Sequence, residues 1–217
     1  MIDATLAALA GTAAHYLSVD NIYLYGQPGT PRPIDEAAPR HPISAKGQIR
    51  QAVERRLMQA MDTYPIAIAR FPDFYAIATD PPPRGVRWFG PPELPHQFIH
   101  LPDAARALLW LTEDCQSRGQ VWHVAGADPI AGTDLRDLAQ AVSRAPTRLT
   151  VLSPLMVRLM GIGFAPARGL IETQYLWQSP VVLDTSKFDR RCGRRFAHSH
   201  RQALEEILES QGSGLAR

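Results

Sequence analysis

The sequence predicts an α/β fold with a partial parallel sheet, flanking helices and a small C-terminal α/β lobe. Short apolar runs that are typical of strands alternate with helical patterns along the chain, and this alternation indicates a mainly parallel sheet. The run at residues 66–70 is apolar up to its last residue, as expected of a strand that is covered on both faces. The segment before it repeats an apolar residue every four positions, which predicts an amphipathic helix.

The composition is that of a globular protein with one sizeable core, or a core and a small lobe. Of the 217 residues, 45% are hydrophobic and 20% are charged, which is an ordinary balance for a folded domain. The net charge of +2 is too small to indicate a nucleic-acid-binding surface. No apolar run approaches the roughly 20 residues that a membrane span needs. We therefore expect neither a nucleic-acid partner nor a membrane.

The cysteines and the N-terminus favour a cytoplasmic location. Cys115 and Cys192 lie far apart and match no metal-binding or redox spacing, so we expect two free thiols. The first residues lack the basic region of a signal peptide.

In the first half of the chain, the apolar pattern predicts two strands and two helices. A helix over residues 3–13 precedes a strand at 15–19, and a proline-rich loop follows at 26–44. The helix at residues 46–62 presents Ile49, Val53, Leu57 and Met61 on one face. Tyr64-Pro65 ends that helix and leads into the strand at 66–70.

The second half predicts shorter strands and a helical C-terminal region. Residues 80–95 hold six prolines, so we expect an irregular segment at the edge of the molecule, with a weak strand at 86–89. Asp103 and Thr133 are expected N-caps of two helices, which end near residues 113 and 143. The remaining predicted elements are strands at 98–101, 121–125, 149–152 and 181–183, a mainly helical region at 154–178, and a closing helix at 200–210.

Four segments of the chain form an ordered set of motifs. They are Tyr-Leu-Ser-Val-Asp-Asn-Ile-Tyr-Leu-Tyr-Gly at 16–26, Ser-Ala-Lys-Gly-Gln-Ile-Arg-Gln-Ala-Val-Glu at 44–54, Arg-Phe-Pro-Asp-Phe-Tyr at 70–75 and Gln-Phe-Ile-His-Leu-Pro-Asp-Ala-Ala-Arg-Ala-Leu at 97–108. In this order they resemble the motifs of the extended short-chain dehydrogenase/reductase family, and in particular its NAD-dependent epimerase/dehydratase branch. Each is modest alone, but four in order at plausible spacing are specific. The resemblance implies a partial Rossmann-like sheet, with residues 1–75 as the remnant of that domain and residues 76–217 as mixed core elements and a substrate-type lobe.

The resemblance implies a catalytic site around Lys46, Arg50 and Ser18. The family places Tyr-x-x-x-Lys on a helix, where a spacing of four puts the phenol and the ammonium on one face. Here Lys46 and Arg50 occupy those two positions, so the phenol is missing. Lys46 acts as a base only if burial or a neighbouring cation lowers its pKa by several units, and two solvated or substrate-facing cations are the alternative.

The position of the family's Ser/Thr is open between Ser18 and Asp20, because this segment is one residue longer than the usual pattern. A serine hydroxyl can donate a hydrogen bond to a substrate carbonyl, whereas an ionised aspartate repels a developing oxyanion. Tyr23 and Tyr25 either supply a phenol from another direction or form the wall of the pocket.

The cofactor implied by the resemblance is NAD or NADP, with Arg50, Phe71 and Pro72 as the expected contacts. Only seventeen residues precede Ser18, and they contain no strand followed by Gly-x-x-Gly-x-x-Gly. We therefore expect the C-terminal portion of such an enzyme without its Gly-rich cofactor half. The expected function is a truncated epimerase/dehydratase-like protein that is not catalytic on its own. The alternatives are a non-catalytic interaction protein and a half-enzyme that a second copy or another chain completes, acting on a sugar-nucleotide-like substrate.

Two further patterns are weaker. Residues 161–166 partly match a dinucleotide fingerprint, but they follow a helical pattern and Pro166 takes the third glycine position, so a helix end is the better interpretation. His198-Ser199-His200 has a spacing that can bind a metal, yet no third ligand lies nearby in the sequence, and we expect no metal site.

Overall fold

The chain folds into a parallel sheet with helices on both faces and a second, mixed lobe. The computed structural model describes residues 2–26, 33–80, 85–163, 165–179, 181–193 and 197–214. Its strands are β1 (Tyr16–Asn21), β2 (Ile66–Phe71), β3 (Asp73–Phe74), β4 (Thr79–Asp80), β5 (Gly85–Trp88), β6 (Phe98–Ile99), β7 (Gln120–His123) and β8 (Leu149–Val151). Its α-helices are α1 (Ile2–Leu9), α2 (Ala45–Ala60), α3 (Leu101–Glu113), α4 (Gly132–Ser143), α5 (Pro154–Gly163), α6 (Ala165–Thr173), α7 (Tyr175–Gln178), α8 (Ser186–Cys192) and α9 (His200–Gly214).

The main sheet has the order β1–β2–β7, and both pairings are parallel. Tyr16 pairs with Ile66 and Asn21 with Phe71, so β1 and β2 end side by side. All six residues of β2 are buried. The prediction of a central strand covered on both faces is therefore confirmed, as is the α/β fold class with parallel strands.

The chain itself covers both faces of β2, because alternate residues point to opposite sides. On one face Ile66 and Ile68 pack with Leu6 of α1 and Leu57 of α2. On the other face Ala67, Ala69 and Phe71 pack with helices α3 and α8. Helices of the same chain therefore cover both faces of this strand.

The outer edge of β1 is more exposed than the central strand β2. Among the described residues β1 pairs only with β2, and Val19 is 51% exposed on this side. The residues of the apolar face predicted for α2 differ in the same way in their exposure. Leu57 is buried, but Ile49 is 64% exposed. Glu54, which that face leaves out, is buried instead. The N-terminal half of α2 therefore faces an opening beside β1.

The C-terminal lobe is built around aromatic side chains that the sequence analysis placed at the edge of the molecule. Trp88 and Phe89 are buried in the largest core cluster, and β5 pairs in parallel with β8. Trp88 meets the ring of Trp177 edge-on at 4.9 Å between centroids. Gly132 lies so close that a Cβ there would stand 2.6 Å from the Trp88 ring. The strand predicted at 86–89 is present as β5, but the expected place of this segment at the edge of the molecule is wrong, because the strand is buried in the lobe.

Several helices and strands begin or end at other residues than the sequence predicts. Helix α3 begins at Leu101 with His100 as its N-cap, and Asp103 lies inside the first turn. Helix α4 begins at Gly132 with Ala131 as its N-cap, so Thr133 caps nothing. The strand predicted at residues 181–183 is a single bridge between Ile34 and Leu183. At the start of α4, the backbone N–H groups of Gly132 and Thr133 donate to the carbonyl oxygen of Pro92, a contact that the local pattern does not contain.

Removal of the Trp88 ring should destabilise the lobe strongly. We expect Trp88→Ala to lower the free energy of unfolding by about 3–5 kcal/mol, because the ring is fully buried and leaves a cavity. Leu101→Ala is the control, since this side chain is 67% exposed and should change stability by less than about 0.5 kcal/mol. Urea denaturation measures both, and equal midpoints would contradict this account of the lobe.

The protonation of His96 should lower the stability of the protein in mild acid. The imidazole of His96 is buried, and its ring centroid lies 4.1 Å from that of Trp177. Burial lowers the pKa of His96 to about 4, so the folded protein keeps it neutral near pH 5, whereas the unfolded chain, with a pKa near 6.5, binds a proton. Between about pH 7 and about pH 5 this difference removes about 2 kcal/mol of stability.

The measurement is urea denaturation at both pH values for the wild type and His96→Gln. The variant should lose about 2 kcal/mol less than the wild type on acidification. The exposed His41→Gln is the control and should behave like the wild type. An unchanged pH dependence in His96→Gln would refute the assignment.

Candidate functional site

An open cavity of about 980 Å³ lies between β1 and α2, on the side where β1 has no strand partner among the described residues. Its polar lining includes Ser18, Asn21 and Tyr23 from the first strand and turn, and Lys46 and Arg50 from the helix. Apolar side chains form the rest of the wall, namely those of Ile2, Val19, Ile49 and Val53. The cavity therefore combines two cations, hydroxyl and amide groups, and an apolar surface. Such a lining suits an anionic ligand that carries a flat apolar ring.

The start of α2 places both cations. The hydroxyl of Ser44 accepts a hydrogen bond from the backbone N–H of Gly47 at 3.0 Å and caps the helix. Lys46 and Arg50 are then one turn apart and share a face. Gly47 lets the helix approach the 3-10 turn Ile22–Tyr25, because a Cβ at this position would stand 2.5 Å from the carbonyl oxygen of Tyr23. The spacing of four that the sequence analysis emphasised thus places Lys46 and Arg50 at one cavity.

Lys46 is tied to the C-terminal lobe. Its Nζ donates a hydrogen bond to the carbonyl oxygen of Gly169 in α6 at 2.9 Å. Its backbone N–H donates to Oε2 of Glu172 at 3.3 Å. The first of these contacts uses the side-chain nitrogen of Lys46 as a hydrogen-bond donor. The geometry favours a structural and electrostatic role for Lys46 over that of a base.

Ser18 and Asp20, the two candidates for the family's Ser/Thr position, have different surroundings. Ser18 is buried in β1 and lines the cavity. Asp20, two residues along the same strand, accepts hydrogen bonds from Nε and Nη2 of Arg70 at 3.1 and 2.9 Å. Since the carboxylate of Asp20 is already engaged, Ser18 is the better placed of the two to meet a ligand.

Beneath the cavity lies a buried charged network centred on Arg70, whose side chain is fully buried. Besides Asp20, Arg70 binds Oε1 of Glu54 at 2.7 Å and the hydroxyl of Tyr25 at 2.5 Å. Arg40 also donates to both carboxylate oxygens of Glu54, at 3.2 and 3.0 Å. The Tyr25 hydroxyl lies 2.5 Å from Nε2 of His123 on β7. The network thus joins β1, β2, β7, α2 and the loop at residues 33–44.

The network shifts the pKa of each member for a different reason. Burial raises the pKa of Asp20 even though Arg70 opposes the shift. Burial acts in the same sense on Glu54, but the hydrogen bonds from Arg40 and the charge of Arg70 outweigh it and lower the pKa. Burial and the positive charge of Arg70 lower the pKa of His123 to about 3. His123 is therefore neutral at neutral pH, which suits its place beside a cation.

The two tyrosines of the 3-10 turn have separate roles. Tyr25 belongs to the buried network, whereas Tyr23 lines the cavity beside Ser18 and Arg50. Burial raises the pKa of each phenol to about 12. Both phenols are thus protonated at neutral pH, and of the two only Tyr23 reaches the cavity.

The expected cofactor contacts fall in two places. Arg50 lines the cavity, whereas Phe71 is buried in the core cluster against α3 and packs beside Phe74. Pro72 is buried as well. Neither Phe71 nor Pro72 is part of the cavity wall described above, and their role in cofactor binding stays a prediction. Asp73, the next residue, received no role from the sequence pattern, although a polar residue just past a buried parallel strand is a signal for a site.

A second open cavity, of about 680 Å³, lies by the C-terminal helix and is lined by Tyr75, Arg87, His100 and Glu206 among others. Nε2 of His100 lies 2.9 Å from Glu206. The nearby Asp103 accepts a hydrogen bond from the backbone N–H of His198 at 2.8 Å. The carboxylate of Asp103 therefore anchors the segment before α9, in place of the expected helix cap.

Neither a metal site nor a membrane helix is found in the described part of the chain. No group of three or more His, Cys, Asp or Glu side chains there is placed to hold a metal ion. None of its helices is long and apolar enough to cross a membrane. Cys115 and Cys192 are not joined in a disulfide, and Cys115 is exposed whereas Cys192 is buried. Residues 161–163 lie inside α5, so the partial fingerprint does not follow a strand; Phe164 lies outside the described residues.

No family model matches the sequence, and none of the curated proteins matches it. Solved structures do. UDP-glucose 4-epimerase from Thermotoga maritima with UDP-glucose has a TM-score of 0.73 at 16% identity, over 99% of this chain and 67% of that one. dTDP-glucose 4,6-dehydratase from Bacillus anthracis in complex with NAD has a TM-score of 0.71 at 11% identity, over 98% and 66%.

UDP-glucuronic acid 4-epimerase from Bacillus cereus in complex with NAD has a TM-score of 0.68 at 14% identity, over 97% of this chain and 66% of that one. The chain has the fold of NAD-dependent epimerases and dehydratases. The resemblance that the four motifs carry is thus confirmed at the level of the fold. The chain spans about two thirds of the length of these epimerase-fold structures.

The buried network should dominate the stability of the epimerase-like core. We expect Arg70→Met to lower the free energy of unfolding by about 3–5 kcal/mol, because Asp20 and Glu54 would then be buried without their shared cation. Arg56→Met is the matched control, since Arg56 pairs with Asp3 at the surface and such pairs contribute about 0–1 kcal/mol.

Urea denaturation compares the two variants. Similar losses for Arg70→Met and Arg56→Met would show that the network contributes no more than a surface ion pair. Far-UV circular dichroism of Arg70→Met at low temperature separates a destabilised fold from a chain that does not fold.

Proposed function

We propose that this chain forms the substrate-side part of an NAD(P)-dependent epimerase or dehydratase that acts on a nucleotide-sugar-like substrate. We propose further that the chain is not catalytic on its own and that a βαβ unit on another polypeptide completes the cofactor site. The observation that supports the proposal most directly is the shared cavity of Ser18, Lys46 and Arg50 beside β1. The cavity lies on an epimerase-type fold, and this fold supports the proposed class of reaction by analogy.

The lining of the cavity fits the nicotinamide end of such a cofactor together with part of a substrate. Arg50 and Lys46 provide positive charge for phosphate groups, and Ser18 provides a hydroxyl for a substrate oxygen. Ile49 and Val53 offer an apolar surface on which a planar ring can pack. When bound, the cofactor would accept or donate hydride. The chain's own residues would orient the sugar and hold its oxygens.

The proposal of no independent catalysis rests on the residue at the phenol position. Lys46 holds the carbonyl of Gly169 instead of presenting a titratable hydroxyl to the cavity. Its ammonium is a donor and not a proton acceptor in that arrangement. The helix therefore keeps the spacing of the family pattern but not its acid–base group.

The edge of β1 supports the proposed docking of a further strand and helix. In the described part of the chain this edge has no strand partner, and with the exposed Val19 and Ile49 it offers both backbone hydrogen bonds and apolar surface. The same observation favours the second candidate function, a non-catalytic interaction protein that uses this edge for docking alone. Binding of a nucleotide sugar distinguishes the two functions, because docking alone requires none.

Thermal stability in the presence of ligands tests the proposal. UDP-glucose at about a hundred times its dissociation constant should add about 2.7 kcal/mol to the stability of the wild type. We expect little effect of NAD(H) or NADP(H) on the isolated chain. Arg50→Gln should weaken UDP-glucose binding about tenfold or more, because a charged hydrogen bond to phosphate is lost. Arg55→Gln, an exposed arginine on the same helix, is the matched control.

Each result discriminates. Absence of any shift with UDP-glucose would overturn the substrate proposal and leave the interaction protein. A large shift with NAD(H) alone would overturn the proposed dependence on a second polypeptide. Equal effects of Arg50→Gln and Arg55→Gln would place the ligand outside this cavity.

A further inference from the structure

Tyr23 and Asp73 leave the sheet side by side. Asn21 at the end of β1 pairs in parallel register with Phe71 at the end of β2. Tyr23 and Asp73 each follow two residues later, past the carboxyl ends of neighbouring parallel strands. In open α/β sheets this is the edge at which ligands bind. The topology therefore places a phenol that lines the cavity of Ser18 and Arg50 and a carboxylate at neighbouring strand ends, where the charge of Asp73 acts on Tyr23.

The backbone around Tyr23 is fixed on both sides. The amide N–H of Tyr23 donates to Oδ1 of Asn21 at 3.1 Å, and its carbonyl oxygen accepts from the hydroxyl of Tyr175 at 3.0 Å. Gly47 of α2 lies close against the same carbonyl. These contacts hold the turn in place while the Tyr23 side chain lines the cavity. A phenol held this way is preorganised for contact with a ligand.

Asp73 is half-buried on β3, where it pairs with Phe98. Within the described residues its carboxylate has no hydrogen bond or ion pair, in contrast to Asp20 and Glu54 of the buried network. Burial raises the pKa of Asp73 to about 6. The carboxyl thus changes charge near neutral pH, and its negative charge raises the pKa of the Tyr23 phenol.

We propose that Tyr23 supplies the hydroxyl that the helix α2 lacks, by donating a hydrogen bond to a sugar oxygen of the substrate, and that Asp73 is the positioning residue that acts through Tyr23. The inference rests on the proposed function and names the donor in that site. It accounts for the presence of Lys46 where the family has a phenol: the phenol comes from the end of β1 and approaches the same cavity from the sheet.

The charges around Tyr23 assign it the role of donor. Burial is the main cause that raises its pKa to about 12; the negative charge of Asp73 and the neighbouring phenol of Tyr175 add to this, and Arg50 opposes them. The Tyr23 phenol is therefore protonated throughout the neutral range. When Asp73 is ionised, its negative charge holds the phenol proton more tightly and makes Tyr23 a weaker donor to a ligand. When Asp73 is neutral, this effect is absent and Tyr23 is the stronger donor.

Carbon NMR of the free chain tests the pair without any ligand. The carboxyl carbon of Asp73 and the Cζ carbon of Tyr23 are followed from about pH 4.5 to about pH 8, and both should titrate with one midpoint near 6. Asp73→Asn should abolish the step in the Tyr23 signal. Asp62→Asn, an exposed aspartate after α2, is the control and should leave the step unchanged. A Tyr23 signal that does not titrate, or that still titrates in Asp73→Asn, overturns the inference.

Binding of UDP-glucose measured by calorimetry across the same pH range tests the role in the site. The wild type should bind several-fold more tightly below about pH 6 than above it, following the protonation of Asp73. Tyr23→Phe should weaken binding about three- to tenfold at low pH and remove the pH dependence. A purely structural role, or a direct effect of the Asp73 charge on the ligand, would leave the pH dependence in Tyr23→Phe. Tyr64→Phe is the matched control, on a half-buried tyrosine after α2.

The two experiments separate this inference from the proposed function. A wild type that binds UDP-glucose with an affinity independent of Tyr23 and Asp73 overturns the inference alone. A wild type that binds no UDP-glucose overturns the proposed function, and with it the substrate role of Tyr23, whatever the NMR titration shows.

Discussion

The buried guanidinium of Arg70 is the constraint on which the rest of the core depends. It lies on the central strand β2 with no solvent contact, and it holds Asp20 of β1 and Glu54 of α2 at once. Burying one cation costs several kcal/mol unless it is well paired. The register of β1 against β2 and the position of α2 are thus tied to a single ion-pair geometry. Any shift of either element would leave a charge buried without a partner.

This network also determines what the cavity above it offers. Because Arg70 engages Asp20, the polar groups of β1 in the cavity lining described here are uncharged, as those of Ser18 and Asn21 are. Because Glu54 is engaged with Arg70 and Arg40 beneath the helix, no carboxylate of α2 offsets Arg50 in the cavity lining described here. The site consequently combines positive charge with neutral hydroxyls, which is the chemistry that phosphate and sugar groups require.

The C-terminal lobe is joined to the site through a small set of contacts. Lys46 reaches the carbonyl of Gly169, and the hydroxyl of Tyr175 reaches the carbonyl of Tyr23. The lobe itself is held by the buried rings of Trp88 and Trp177. Changes in the packing of those rings are therefore expected to move the walls of the cavity. The division of the chain at residue 75 stays a prediction, since β3 and β6 pair across it.

The sequence by itself determined the fold class, the central strand and the face of α2 that carries Lys46 and Arg50. These depend on local periodicity and on spacing, which a single sequence contains. Only the tertiary structure decided that Trp88 is core, that Ile49 is exposed while Glu54 is buried, and that Ser18 and not Asp20 meets the cavity. The reason is physical: burial and ion pairing depend on partners that lie 16 to 50 residues away, as Glu54 and Asp20 do from Arg70, and no local pattern encodes them.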